Sequence, residues 1–166
     1  MSRPSILLWY RTDLRVADHE PLHQAVRTNA FSIFPVYCVD PRQFGQTSFG
    51  FPKTGAFRSQ FLLESLADLR RSLRQLGSDL IIRYGYPETI IPDLAQQLNI
   101  SAVYYHAEVT SEEVLVEEAL ERALKPIGVE LQSFWGHTLY HPEDLPFDMG
   151  ELPELPDHVK EIVDRI

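Results

Sequence analysis

The chain has one cysteine, Cys38, among its 166 residues, so no disulfide can form within it. It has no glycine-rich phosphate loop, and no histidine, cysteine or carboxylate spacing of the kind that holds a metal ion. Its first apolar run, Ile6–Tyr10, is too short for a signal peptide or a membrane span, and a cytoplasmic protein that touches no membrane is the expectation. Basic residues are scarce: 15 Lys and Arg stand against 24 Asp and Glu, and a formal charge of −9 repels a phosphate backbone. Direct binding to nucleic acid is therefore not expected. Internal repeats and low-complexity runs are missing as well.

What is present is apolar material, 44% of the residues, enough for the core of one compact domain. Five β-rich segments recur at Ser5–Tyr10, Phe31–Val39, Leu80–Tyr84, Ala102–His106 and Val129–Trp135, with helical periodicity between them. This alternation predicts an α/β fold, a parallel sheet covered by helices on both faces. The clearest helix runs from about Thr54 to Leu76, where Leu62, Leu66, Leu69, Leu73 and Leu76 form a core stripe and Gly77 supplies a stop. A second helix is expected to begin between Pro87 and Pro92. Residues 1–140 read as the domain. Residues 141–166 hold eight acids, two bases and four prolines, and read as an acidic tail or linker with a short helix near Asp157–Ile166.

The first strand runs into a knot of charge, WYRTDLRVAD, from Trp9 to Asp18. In an open parallel sheet, ligands bind outside the carboxyl ends of the strands, near where the strand order reverses. One reading is structural: Arg11, Asp13, Arg15 and Asp18 pair among themselves, and Asp18 caps a helix starting near His19-Glu20-Pro21. The other has the same groups lining a pocket or an interface. Spacing alone favours the structural reading.

The knot does not stand alone. WYRTDLRVADHEPL, VYCVDPRQF, FPKTGAFRSQFLLESLADLRRSLRQLG and FWGHTLYHPEDLPF, in that order, closely resemble the amino-terminal α/β domain of the photolyase/cryptochrome family, specifically its cryptochrome DASH branch, over roughly Ile6 to Phe147. The resemblance implies a Rossmann-like three-layer sandwich with a five-stranded parallel sheet. In the family a linker and a large helical domain follow, and that domain holds flavin adenine dinucleotide (FAD) and the lesion-binding cleft. These 166 residues contain no such domain, so tight FAD binding and photorepair are not expected of them. They also lack the aromatic-Thr-x-Phe-Arg segment that usually follows the LPD-like turn, which leaves two alternatives open: a fragment ending in the linker, or a short stand-alone relative.

The function the resemblance leaves is holding an antenna chromophore, in DASH relatives usually methenyltetrahydrofolate, which lies between the two domains and passes excitation to the flavin. HAEVTSEE, His106 to Glu113, is the best local candidate. A pterin presents an N–H and an amino group side by side, and one carboxylate can accept both. Aligned with family members, Glu113 falls on the carboxylate that grips the pterin, with Glu112 beside it and Glu108 and His106 nearby. The same residues also form a capping box, Thr110 as N-cap and Glu113 reaching back to its amide, and the two jobs stay open at this point. Ala107 stands where DASH relatives commonly carry a basic residue. Tyr37 and Cys38, at the end of the second strand, border the expected cavity, although Cys38 also reads as a small buried hydrophobe. Trp9 and Trp135 read as core aromatics before stacking platforms.

Two other classes of function compete with the antenna. One is an interaction module that forms a homodimer or pairs, in cis or in trans, with a flavin-binding helical domain. The other is a nucleotide-binding protein of the universal-stress type, which the missing glycine-rich loop disfavours.

Overall fold

In the computed structural model of the chain, residues 4–136, 138 and 141–144 are described. Five strands, β1 (Ser5–Tyr10), β2 (Ser32–Val39), β3 (Ile81–Tyr84), β4 (Ala102–His106) and β5 (Glu130–Phe134), alternate with four helices: α1 (Glu20–Arg27), α2 (Ala56–Gln75), α3 (Pro87–Gln97) and α4 (Ser111–Leu124). All strand pairs are parallel, in the order β3-β2-β1-β4-β5. The order reverses between β1 and β4, which lie side by side with Trp9 opposite Tyr105.

The alternating pleat of the strands builds two cores, one on each face of the sheet. Leu7, Trp9, Val36, Cys38, Val103 and Tyr105 point to the layer of α3 and α4, where they meet Ile91, Leu94, Leu120 and Leu124. Ile6, Leu8, Tyr10, Tyr37, Ala102 and Tyr104 point to the opposite layer and meet Ala25 of α1 and Leu66, Leu69 and Leu73 of α2. β1 and β4 are therefore buried on both sides, which is why they read as continuous apolar runs rather than alternating ones.

Three expectations about helices change. The cap of α1 is His19, not Asp18: Asp18 has φ +50°, outside the extended region a cap residue needs, whereas His19 is extended and its Nδ1 accepts from Leu22 N–H. Helix α3 starts at Pro87 itself and carries Pro92 inside it, both prolines buried. Leu76 ends α2 as an exposed cap residue, so the core stripe of α2 is Leu66, Leu69 and Leu73 with Leu62 half-buried. The helix expected at Asp157–Ile166 lies outside the described residues, as does the tail after Asp144.

Candidate functional site

Where the strand order reverses, the carboxyl ends of β1, β2 and β4 and the first turns of α3 and α4 enclose a crevice of about 280 Å³. Its wall includes Trp9, Tyr37, Cys38, Pro87, Leu115 and Val116, and its polar rim includes Arg11, Asp40, Arg42, Lys53, Glu108 and Glu112, with Glu113 facing the same space. Local order puts them there. Asp40 accepts from Arg42 N–H and caps a 3₁₀ turn at Pro41–Phe44, while Pro87 opens α3 at its first position, where its missing N–H costs nothing.

The charge knot at the end of β1 is organised differently from the self-paired cluster its spacing suggested. Arg11 sends its guanidinium across the sheet to α4, where Glu117 Oε1 accepts a very short hydrogen bond from Nη1, and Glu108 Oε2 lies 3.7 Å from Nη2. The same guanidinium sits 4.6 Å above the Trp9 ring. Glu117 accepts again from Tyr105 O–H at 3.2 Å and from Glu108 N–H at 3.0 Å. The Arg15 guanidinium donates to the Asp18 carbonyl, at 3.1 Å from Nη2, and neither of these two residues lines the crevice.

Asp13 turns inward and is 2% exposed. Its Oδ1 accepts from Arg11 N–H at 2.8 Å. Its Oδ2 lies 2.6 Å from His106 Nδ1 and 2.7 Å from His19 Nε2, although the His19 N–H is not aimed squarely at it. Burial works to raise the carboxyl's pKa, but the hydrogen bonds from His106, His19 and the Arg11 amide together outweigh it and hold the group below the usual carboxylate range. Because an ionised carboxylate only accepts, His106 Nδ1 carries a proton. His106 is pinned from its other side too: a Cβ on Gly136 would fall 2.9 Å from its Nε2, so only glycine lets that backbone pass. This hub ties β1, β4 and α1 together beneath the crevice, and His106 is part of the support rather than of the wall.

Asp13, His19 and His106 are also the one group of metal-ligand type among the described residues. The donor set does not fit a metal. His19 Nδ1 is occupied as an acceptor of Leu22 N–H, so Nε2 holds the ring proton. Metal ligation through Nε2 would move that proton to Nδ1 and set donor against donor.

The HAEVTSEE segment now separates. Glu108 accepts from Thr12 O–H at 2.8 Å. Glu112 is 70% exposed and holds Lys53 Nζ at 2.7 and 2.6 Å, an ion pair at the crevice rim. The capping box is not made: Thr110 is the N-cap of α4 but gives no side-chain cap bond. Glu113 Oε2 is buried without a hydrogen-bond partner among the described residues. Cys38 behaves as a buried thiol, its pKa pushed up to about 12 by burial and by the nearby carboxylates of Asp40 and Glu88. Burial, with Cys38 beside it, likewise pushes the Tyr37 phenol up to about 12. Trp135 lies away from the crevice. Residues that sequence reasoning missed are His19, Lys53, Arg42 and Glu117. Of these, only Glu117 carried a signal, an acid one helical turn beyond Glu113.

Comparison with known proteins places this arrangement. The DNA photolyase family model matches residues 6–158. The chain is 58% identical over 165 residues to cryptochrome DASH of Gloeobacter violaceus, covering 99% of this chain and 33% of that protein. It is 48% identical to the blue-light photoreceptor PHR2 of Arabidopsis thaliana, over 91% of this chain and 34% of the relative. Among solved structures, a Synechocystis cryptochrome superposes with a TM-score of 0.89 at 46% identity, over 99% of this chain and 34% of that one. An archaeal photolyase from Sulfolobus tokodaii, solved with two FAD molecules, shares the fold at a TM-score of 0.75 and 22% identity, over 86% of this chain and 32% of its own. The chain thus spans about a third of the length of these relatives.

Proposed function

Because the chain belongs to the DNA photolyase family and resembles the amino-terminal domain of its cryptochrome DASH members, we propose that it is a light-harvesting module, non-catalytic by itself, whose crevice holds the pterin head of methenyltetrahydrofolate. The observation that carries this reading is Glu113 Oε2, an acceptor buried in the crevice with no donor on it among the described residues. A pterin edge offers an N–H and an amino group side by side, which one carboxylate accepts together. The corresponding edge of a flavin offers one N–H between two carbonyl oxygens, which sets at least one acceptor against the carboxylate. The volume agrees. At about 280 Å³ the crevice lies at the lower end of small-molecule sites, room for a bicyclic head rather than a whole folate. Leu115, Val116 and Pro87 would cover the ring faces, while Glu113 fixes its orientation.

Bound there, the antenna supplies near-ultraviolet or blue absorption and hands excitation to a flavin held elsewhere. In this reading the flavin-bearing part, in cis or in trans, performs the repair of pyrimidine dimers or the photoreception of full-length relatives. The interaction-module and universal-stress readings gain no feature of the crevice in their favour.

Titrating the chain with methenyltetrahydrofolate, followed by its absorption band, tests the proposal. Binding is expected at about micromolar affinity or weaker, since one domain buries only part of the ligand. Glu113→Gln keeps shape and removes one of two acceptors, and should weaken binding by roughly 10- to 100-fold, the worth of a charge-assisted contact. Equal binding by the variant, or tighter binding of a flavin than of the folate, would overturn it.

A further inference from the structure

Trp9 stands in the crevice wall at the carboxyl end of β1, and of the side chains that line the crevice it is the readiest electron donor. An indole gives up an electron without first shedding a proton, whereas a phenol or a thiol becomes an easy donor only once deprotonated. The other oxidisable side chains in the lining are Tyr10, Tyr37 and Cys38. Burial pushes Tyr37 and Cys38 up to about 12 and lifts Tyr10 well above the ordinary phenol value, so all three keep their protons at neutral pH. A light-excited aromatic ring is a strong oxidant. A bare indole beside it is a route by which excitation is lost as heat.

The indole is not bare. The Arg11 guanidinium lies 4.6 Å above the Trp9 centroid, within the reach of a cation–π contact, and Tyr105 tilts against the same ring at 5.4 Å. Glu117 and Glu108 hold the guanidinium by its nitrogens, and the Arg11 side chain is 8% exposed. The cation is thus fixed on the ring, apart from the solvent that would screen it. A positive charge on the ring face lowers the energy of the π electrons and opposes the positive hole that the loss of one would leave.

We propose that Arg11 is an electrostatic shield: held on Trp9, it keeps the wall of the crevice from quenching an excited chromophore and preserves the excitation for transfer. The inference rests on the antenna reading of the crevice. The step it suppresses is a one-electron transfer in which Trp9 is oxidised and the excited head is reduced. The return of the electron restores both with the excitation spent; no proton moves and no bond changes.

The fluorescence lifetime of bound methenyltetrahydrofolate tests this. Arg11→Gln removes the charge, keeps the main-chain bond from residue 11 to Asp13, and should shorten the lifetime by roughly tenfold, the worth of a desolvated cation–π contact. Adding Trp9→Phe should restore it, because a phenyl ring is too poor a donor to quench; a wall merely loosened by the loss of Arg11 would stay dark in the double variant. Trp9→Phe alone needs no change at Arg11 and should keep the wild-type lifetime. A severalfold longer lifetime in that variant would mean that Trp9 quenches in spite of Arg11. That result, an unchanged lifetime in Arg11→Gln, or a short one in the double variant overturns the proposal. If the wild-type chain takes up no methenyltetrahydrofolate, the antenna reading itself falls, and the shield with it.

Discussion

Replacing Asp13 by asparagine exchanges one oxygen for an NH₂ group, keeps the shape of the side chain, and should still be among the most damaging polar substitutions in the domain. Three N–H groups face Asp13: the Arg11 amide and His106 Nδ1 bond to it, and His19 Nε2 lies 2.7 Å from Oδ2. An asparagine can be placed two ways. With its oxygen toward the histidines, its NH₂ meets the Arg11 N–H. With its oxygen toward Arg11, its NH₂ meets His19 Nε2–H, which cannot change tautomer without losing the α1 cap at Leu22. Each choice leaves a buried donor facing a donor and removes the charge that strengthened the remaining bonds. Breaking a buried charged contact by removing one partner costs about 3–5 kcal/mol, a large part of a total stability of about 5–15 kcal/mol.

For a chain of this size the urea slope is roughly 2 kcal/mol per M, so the unfolding midpoint should drop by roughly 1.5–2.5 M. The thermal midpoint should fall by roughly 10 °C. Asp79→Asn is the control. Its carboxyl is also held below the usual range, by the Arg70 and Arg74 guanidiniums, yet it is exposed, and solvent screens what it gains. Its midpoint should stay within experimental scatter. An Asp13→Asn midpoint as close to wild type as that of the control would refute the hub.

Three further outcomes are expected. Because the Asp13 carboxyl is held below its ordinary range, its contribution is complete above about pH 4 and is lost as pH falls through the folded value; urea midpoints of wild type and Asp13→Asn should therefore converge in strong acid. Cys38, its thiol pushed up to about 12, should not react with an aromatic disulfide reagent at pH 8 in the native chain, and should react fully in denaturant. Leu69→Ala, in the α2 core, should cost about 2–5 kcal/mol in denaturant unfolding and leave folate binding unchanged, since Leu69 is remote from the crevice lining.

The central strands β1, β2 and β4 could be read in the sequence because a parallel sheet buries both their faces and so concentrates apolar residues into unbroken runs, whereas the edge strands β3 and β5, mostly not buried, were read from their β-rich composition. Helix ends were less legible, since they turn on backbone angles that residue type only biases. Asp is a common cap and His an uncommon one, but Asp18 at φ +50° cannot serve and His19 can. The partners in the site were the least legible. Asp13 meets His106 across 93 positions, and Arg11 meets Glu117 across 106, contacts that exist only because β1 and β4 are neighbours in the sheet. A spacing rule confined to the knot could only pair the knot with itself.

One residue of HAEVTSEE stands apart, although nothing in the local sequence ranks it. Lining the crevice, Arg11 is held by Glu117 and Glu108, Asp40 by Arg42, Glu108 by Thr12, and Glu112 by Lys53. These groups hold one another and set the shape of the wall. Glu113 differs from these carboxylates in having a buried oxygen that no donor among the described residues reaches, as the Tyr10 hydroxyl on the same crevice also goes unpartnered; Thr110, the residue Glu113 could have capped, is close in sequence, and its own hydroxyl makes no cap. A carboxylate oxygen shielded from solvent and left without a donor costs about 1–3 kcal/mol. A ligand that brings two adjacent donors recovers that cost and gains a charge-assisted contact besides, so the binding energy of the crevice is concentrated where the fold leaves its own polar group unpaired.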